Sequence, residues 1–370
     1  MNADRPAAQR IARLTPLADV LALLDRLAPV EPQDVPVAQA LHGVLAADIM
    51  TTQAMPPVAT AARDGWAVDA DTTRDAGPYA PMMLPSSSQR IDAFAPMPPG
   101  TDAVAPIDAV TVMGGMMQIM APAAPGEGVL PKGGDGDSGA VLRQTGQRLR
   151  AVDIASLTAL RLTQVRIRRP HILLAPARRD DVILTSIADF LASVMAMAGA
   201  SVTRAGDFDA ALRDTATDAV IGVGGTGSGR NDHAVTTLSR AGTLTCHGIG
   251  LGPGETSAFG TVGTRPALLI PGRIDAALAA WLTLAHPLIS KLSGIATDEF
   301  VSSAALSRKI TSTIGLADVV PVRRDGDMIT PLASGMLPLR TLAQADGWVL
   351  VPADSEGYPA GAVVQVRPLP

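Results

Sequence analysis

Residues 218–233 read DAVIGVGGTGSGRNDH: an apolar run, a loop dense in glycine, then a carboxylate where a helix is due to begin. The Ala, Val and Ile content of 219–223 fits a buried strand. Gly224, Gly225, Gly227 and Gly229 permit turns that direct successive backbone N–H groups into one concavity, with Thr226 and Ser228 interleaved. A nest of that kind ahead of a helix N-terminus holds an anion, and the expected ligand is phosphorylated.

Outward from this loop the chain alternates regularly. Strands are expected at 171–175, 201–205, 219–223, 243–249 and 267–270, and helices at 186–199, 209–216, 233–241 and 274–292. This is an α/β layer with a largely parallel sheet, in which ligands sit beyond the carboxyl ends of strands. The 224–229 loop and Pro271-Gly272 both fall there. The chain as a whole reads as α/β plus β and multidomain. Residues 1–50 and 140–170 form a helical and extended first domain, interrupted by a β-rich insert at 51–139 where Pro and Gly recur every few residues. Residues 171–294 form the α/β domain, and 295–370, with turns at Asp325-Gly326, Ser334-Gly335 and Asp346-Gly347, a C-terminal β domain.

Composition limits the function. The 370 residues are 47% hydrophobic and 18% charged, which is globular, while 3% aromatic content leaves the core to Leu, Val, Ile, Ala and Met. A net charge of −5 with no long basic stripe excludes wholesale nucleic-acid binding, so any anion must be held locally. The densest basic stretch, Arg143 to Arg169, reads as a solvated face or interface. The single cysteine, Cys246, excludes an internal disulfide and a Cys-rich zinc site and suits a reducing compartment. Neither a signal peptide nor a span for a bilayer is read, and the expected location is the cytoplasm.

Individual residues admit more than one reading. Residues 222–227 satisfy the G-x-G-x-x-G pattern of dinucleotide folds, but on the third strand of the domain, and the next acid after the helix, Glu255, lies beyond ribose-binding distance. An NAD-dependent oxidoreductase is therefore disfavoured. Asp232 reads either as a helix cap or as a carboxylate that joins a cation such as Mg²⁺ to bound phosphate. His233 and His247 lack partners at metal-ligand spacing and read as structural. Asp64, between Arg63 and Gly65, is by itself a turn aspartate.

Six ordered segments together resemble the molybdopterin molybdotransferase family, bacterial MoeA and the gephyrin E domain. AARDGWAVDADT (61–72) is similar to the family's AMDGYAV, MPPGTDAVAPID (97–108) to MPxGxDAV, and PGEGVLPKGGD (125–135) to GENxRxxGxD. GVGGTGSGRND (222–232) is similar to GGVSVGxxD, LGPGETSAFG (251–260) to KPGKPxxFG, and LLIPGRIDAAL (268–278) to GLPGNPVSA. The resemblance implies four domains, an elongated homodimer, and a cleft between the α/β domain of one subunit and the insert of the other. It implies Mg²⁺-dependent cleavage of adenylylated molybdopterin with insertion of molybdate. Asp64 and Asp232 would then be the catalytic, metal-organising carboxylates. The pterin phosphate would be held by Gly224, Gly225, Thr226, Gly227, Ser228 and Gly229, with Pro253, Gly254, Ser257, Pro271, Gly272 and Arg273 completing the site.

Departures fall on the same loops. Gly252 and Glu255 stand where the family has two lysines, Ala93 where it has Thr, Gly227 where it has Ser, and Arg273 where it has Asn. Residues 176–180, PARRD, replace the family's STGDEL. Arg178, Arg179, Arg230 and Arg273 are the candidates to restore positive charge. The alternative to an enzyme is a diverged, non-catalytic paralogue that binds the cofactor or a partner molybdoenzyme.

Overall fold

The computed structural model describes residues 9–178, 181–295 and 301–370. The chain divides into two compact units. One comprises the chain up to Ala47, Thr145–Thr158 and Thr163–Pro370; the other comprises Asp48–Gln144 and Ala159–Leu162.

In the first unit a six-stranded sheet runs, in spatial order, Ser201–Arg204, His171–Pro176, Ala219–Val223, Arg265–Ile270, Ala258–Val262 and Thr243–His247. The first four are parallel to their neighbours and the last two antiparallel. Side chains alternate between faces along each strand. Ile172, Leu174 and Ile221 therefore meet Leu184, Ile187 and Leu191 of the helix Val182–Met197. Leu173, Ala175 and Val220 meet Phe208, Val235 and Leu238 of the opposite layer. Burial on both faces explains why these strands read as unbroken apolar runs.

Several bounds differ from expectation for local reasons. The helix Val182–Met197 starts one turn earlier than 186, because the Asp181 carboxylate caps it by accepting from the N–H groups of Ile183 and Leu184, each at 3.1 Å. The expected helix 209–216 is Phe208–Arg213, capped in the same way by Asp207. The expected 274–292 helix is Ile274–Ala280, a wide π turn over Trp281–Ala285, and His286–Ser293. Pro287 lacks an N–H and cannot continue a regular ladder, and the π turn sits in the turn before it. The strand Ala258–Val262 was not expected from the pattern.

The expected strand 243–249 is two strands in different sheets. Gly248, at φ 95°, breaks it. Thr243–His247 stays in the six-stranded sheet, while Ile249–Gly252 pairs with Thr15–Pro16 and Ala317–Asp325 in a seven-stranded one. There Ala317–Asp325, Met328–Pro331, Ser302–Leu306, Val363–Pro368 and Gly347–Val351 close on themselves as a small barrel around Val320, Ile329 and Val349.

The second unit is built from short antiparallel strands. Gly65–Val68 lies between Gln89–Ile91 and Ala103–Ala105, and Met116–Ile119 between Val110–Met113 and Met82–Met83. Its core is small, with Val68, Leu84, Val110 and Ile119 among its members. Among the described residues, no helix is long and apolar enough to cross a membrane.

Candidate functional site

The glycine loop leaves the carboxyl end of Ala219–Val223, whose neighbour His171–Pro176 has its own successor, Ser201–Arg204, on the far side. Strand order thus reverses at this loop, where an α/β sheet opens a crevice. Gly224 and Gly225 have φ of 85° and 67°, left-handed values that suit glycine. The Gly224 N–H donates to the Ile270 carbonyl at 2.8 Å. A Cβ on Gly272 would lie 3.2 Å from Gly224 Cα, so the loop and Pro271-Gly272 touch backbone to backbone. Thr226 Oγ1 lies 2.9 Å from Thr256 Oγ1, joining the loop to the 253–257 turn. The three sequence-predicted ligand loops are therefore brought together.

The direction of the loop's peptides is set from behind. Gln9, only 8% exposed, donates from Nε2 to the carbonyls of Gly225 (3.0 Å) and Gly227 (2.9 Å), while its Oε1 accepts from the Thr236 N–H at 3.0 Å. His247 Nε2 is 2.9 Å from the Thr226 carbonyl, and because a carbonyl only accepts, the ring carries its proton there. In a trans peptide the C=O and the following N–H point in opposite directions. With the carbonyls of 225, 226 and 227 held by protein donors, the N–H groups of Thr226, Gly227 and Ser228 face away from those donors. They have no protein acceptor among the described residues.

Asp232 is not the helix cap. The helix is Ala234–Ala241, its cap position is His233 without a side-chain bond, and Asp232 Oδ2 instead accepts from the Gly229 N–H at 2.9 Å. Cβ atoms on Gly227 and Gly229 would approach that oxygen to 2.9 and 2.8 Å, so the glycines make room for the carboxylate. Asp64, in the second unit, is exposed and its Oδ1 accepts from the Ala93 N–H at 2.7 Å. Each carboxylate is thus oriented through one oxygen, leaving the other without a protein donor among the described residues. Among the described residues, no three His, Cys, Asp or Glu side chains are grouped to hold a metal ion.

Other expected ligand residues turn inward. Ser257 is fully buried and its Oγ donates to the Gly254 carbonyl at 2.7 Å, bracing the turn. Arg273 forms a two-pronged pair with buried Asp275 at 3.2 and 2.7 Å, so its charge is met within the chain. Arg178 pairs with Asp181 at 2.6 Å, and Arg179 lies outside the described residues. Arg230 is exposed on the loop and makes no ion pair among the described residues.

Acid stands at or against both lysine positions: Glu255 occupies one, and the Asp318 carboxylate lies against the other, Gly252. Asp318, buried and accepting from Ser312 Oγ at 2.6 Å, fills the space beside Gly252 that a side chain there would need. Burial holds the Asp318 carboxyl above its ordinary range, and nearby Glu255 adds to this by repulsion. Glu255 Oε2 itself accepts from the Gly254 N–H at 3.1 Å. Gln9 and Asp318 were invisible to sequence reasoning, since one acts across 216 residues and the other from the barrel onto an adjoining strand.

A reversing α/β sheet with a glycine loop at the reversal, joined to a β barrel and interrupted by a β insert, defines a multidomain mixed α/β protein. The chain belongs to the MoeA family. Its residues 15–160 match the MoeA N-terminal region (domain I and II) and 303–369 the MoeA C-terminal region (domain IV). It is 26% identical to molybdopterin molybdenumtransferase 2 of Mycobacterium tuberculosis, covering 90% of this chain and 94% of that one. A molybdopterin molybdenumtransferase of Nostoc is 26% identical over 68% of this chain and 67% of its own. In fold, the chain is similar to the MoeA protein of Pyrococcus horikoshii, with a TM-score of 0.69 and 22% identity over 96% of this chain and 99% of that one.

Proposed function

We propose that this protein acts in molybdenum cofactor biosynthesis as a molybdopterin molybdotransferase, taking adenylylated molybdopterin and molybdate as substrates. The observation that carries the reading is the set of N–H groups at Thr226, Gly227 and Ser228, freed for an anion by Gln9 and His247. In this reading they hold the pterin phosphate, and Arg230 supplies the charge that a lysine at 252 or 255 would otherwise give. Gly224 and Gly272 keep the floor of the crevice thin enough for close approach.

The free oxygens of Asp64 and Asp232 suit Mg²⁺, a hard cation that takes one or two carboxylates together with substrate phosphates. When bound, the ion would offset phosphate charge, as metals do in phosphoryl chemistry. The Gly229 N–H and Ala93 N–H orient the two carboxylates as supporting partners. Asp64 belongs to the second compact unit and Asp232 to the first, and the reading takes the protein to be a homodimer. Light scattering giving twice the mass of one chain supports the dimer, and one chain's mass contradicts it.

A second reading is favoured by Asp318 and Glu255. Two carboxylates in place of two lysines weaken any grip on molybdate or phosphate, and suit a paralogue that binds the cofactor or a partner molybdoenzyme without inserting the metal. The test is AMP release from adenylylated molybdopterin with Mg²⁺ and molybdate. Release abolished by Asp232→Asn supports the transferase. Binding without release supports the carrier, and absence of binding contradicts both.

A further inference from the structure

Within the second unit, a groove of about 470 Å³ is lined by Met50, Val58, Phe94, Pro96 and Arg161, among others. It shares no residue with the glycine loop. Three features mark it as more than a surface irregularity. Phe94 is 83% exposed, with a ring that no core requires. Only three non-glycine residues among those described have left-handed backbone, and two of them, Phe94 (φ 69°) and Arg161 (φ 61°), line this groove. The lining contains no acidic residue, while Arg161 makes no ion pair among the described residues.

Left-handed backbone is unfavourable for a bulky aromatic and persists only where the surroundings impose it. They do so here: the Phe94 N–H donates to the Ala61 carbonyl at 2.8 Å, the Ala93 N–H to Asp64, and the Ala95 N–H to the Asp92 carbonyl at 3.1 Å. Glycine would satisfy this backbone without strain, yet the position presents an aromatic face to solvent. Gln53 also lines the groove, and among the described residues its amide is bonded only to the Met55 sulfur, at 3.9 Å. An exposed ring, a free guanidinium and an amide over a proline- and methionine-lined floor match a flat apolar ligand carrying one negative group. The volume is that of a small-molecule site.

We propose that this groove binds a planar aromatic anion, whose ring stacks on Phe94 while its carboxylate or phosphate pairs with Arg161. The lining residues are distinct from those of the glycine loop, so the binding proposed here does not depend on the reading given to that loop.

Pterin-6-carboxylate and AMP, titrated calorimetrically into the full chain, test it and distinguish a carboxylate from a phosphate source. At least one binds saturably below millimolar concentration, and cyclohexanecarboxylate binds at least tenfold more weakly. Phe94→Gly and Arg161→Gly each weaken binding at least tenfold while the melting temperature stays equal or rises, since glycine relieves the backbone. Arg230→Ala leaves this binding unchanged. Absence of saturable binding overturns the proposal. So does binding that survives both glycine substitutions but falls with Arg230→Ala, which would place the ligand on the glycine loop and leave the proposed function standing.

Discussion

The Asp318 carboxylate occupies the space into which a side chain at Gly252 would project. One residue of the barrel thereby fixes the chemistry of a ligand loop in the α/β layer. The absent lysine is accordingly more than a substitution at one position, because the pocket for its stem has been filled.

Restoring the lysine alone is therefore expected to fail. Gly252→Lys overpacks a buried position and destabilises by about 1–3 kcal/mol in a denaturant titration. Adding Asp318→Ala recovers more than half of that loss. Equal destabilisation in the single and double variants would contradict the packing relationship.

The same carboxylate shapes the pH response. Burial raises the Asp318 pKa above its ordinary value, so its contribution is fully present below the usual aspartate range, near pH 4, and is lost as pH rises through the raised value. Asp181 has the opposite sign: bonds from the Leu184 N–H first, then Arg178, lower its pKa, and its contribution is lost as pH falls through that lowered value. Melting curves between pH 3 and 8 check both. Asp318→Asn flattens the decline on the neutral side, and Asp181→Asn flattens the decline on the acid side.

Gln9 tests whether the loop is held from behind. Gln9→Leu removes the donor that the carbonyls of Gly225 and Gly227 share; Gly225 keeps the Ala234 N–H at 3.1 Å, while Gly227 is left without a protein donor among the described residues, costing about 1–3 kcal/mol of stability. Phosphate-ligand affinity falls further than in a surface control of equal stability. If affinity is unchanged while stability drops, Gln9 is a brace with no bearing on the ligand.

Much of this arrangement was legible in the chain. The strand 219–223 and the glycine loop needed only an apolar run and its punctuation, and Ala219–Val223 is the observed strand. What the sequence could not carry was partnership. Nothing local distinguishes a Gly248 that ends one sheet and starts another, and no periodicity reveals that Ser257 and Arg273 are taken up by Gly254 and Asp275. By sequence Asp232 is equally a cap or a ligand, while its bond to Gly229 makes it a clasp across the loop.

Arg230 is the cation the loop retains. Arg230→Ala weakens binding of a phosphorylated pterin by about 10- to 100-fold, the range expected for one charge-assisted bond of about 1.5–3 kcal/mol. Arg273→Ala has a smaller effect on binding, because its partner Asp275 already neutralises it. A larger loss with Arg273→Ala would reverse these roles.

The most direct measurement follows the backbone amides of the loop. In the ¹⁵N-labelled full chain, titration with molybdopterin should shift the Thr226, Gly227 and Ser228 amide resonances saturably, while the Gly224 amide, already bonded to Ile270, moves little. Saturable binding that leaves those three amides unmoved would contradict the phosphate-nest account.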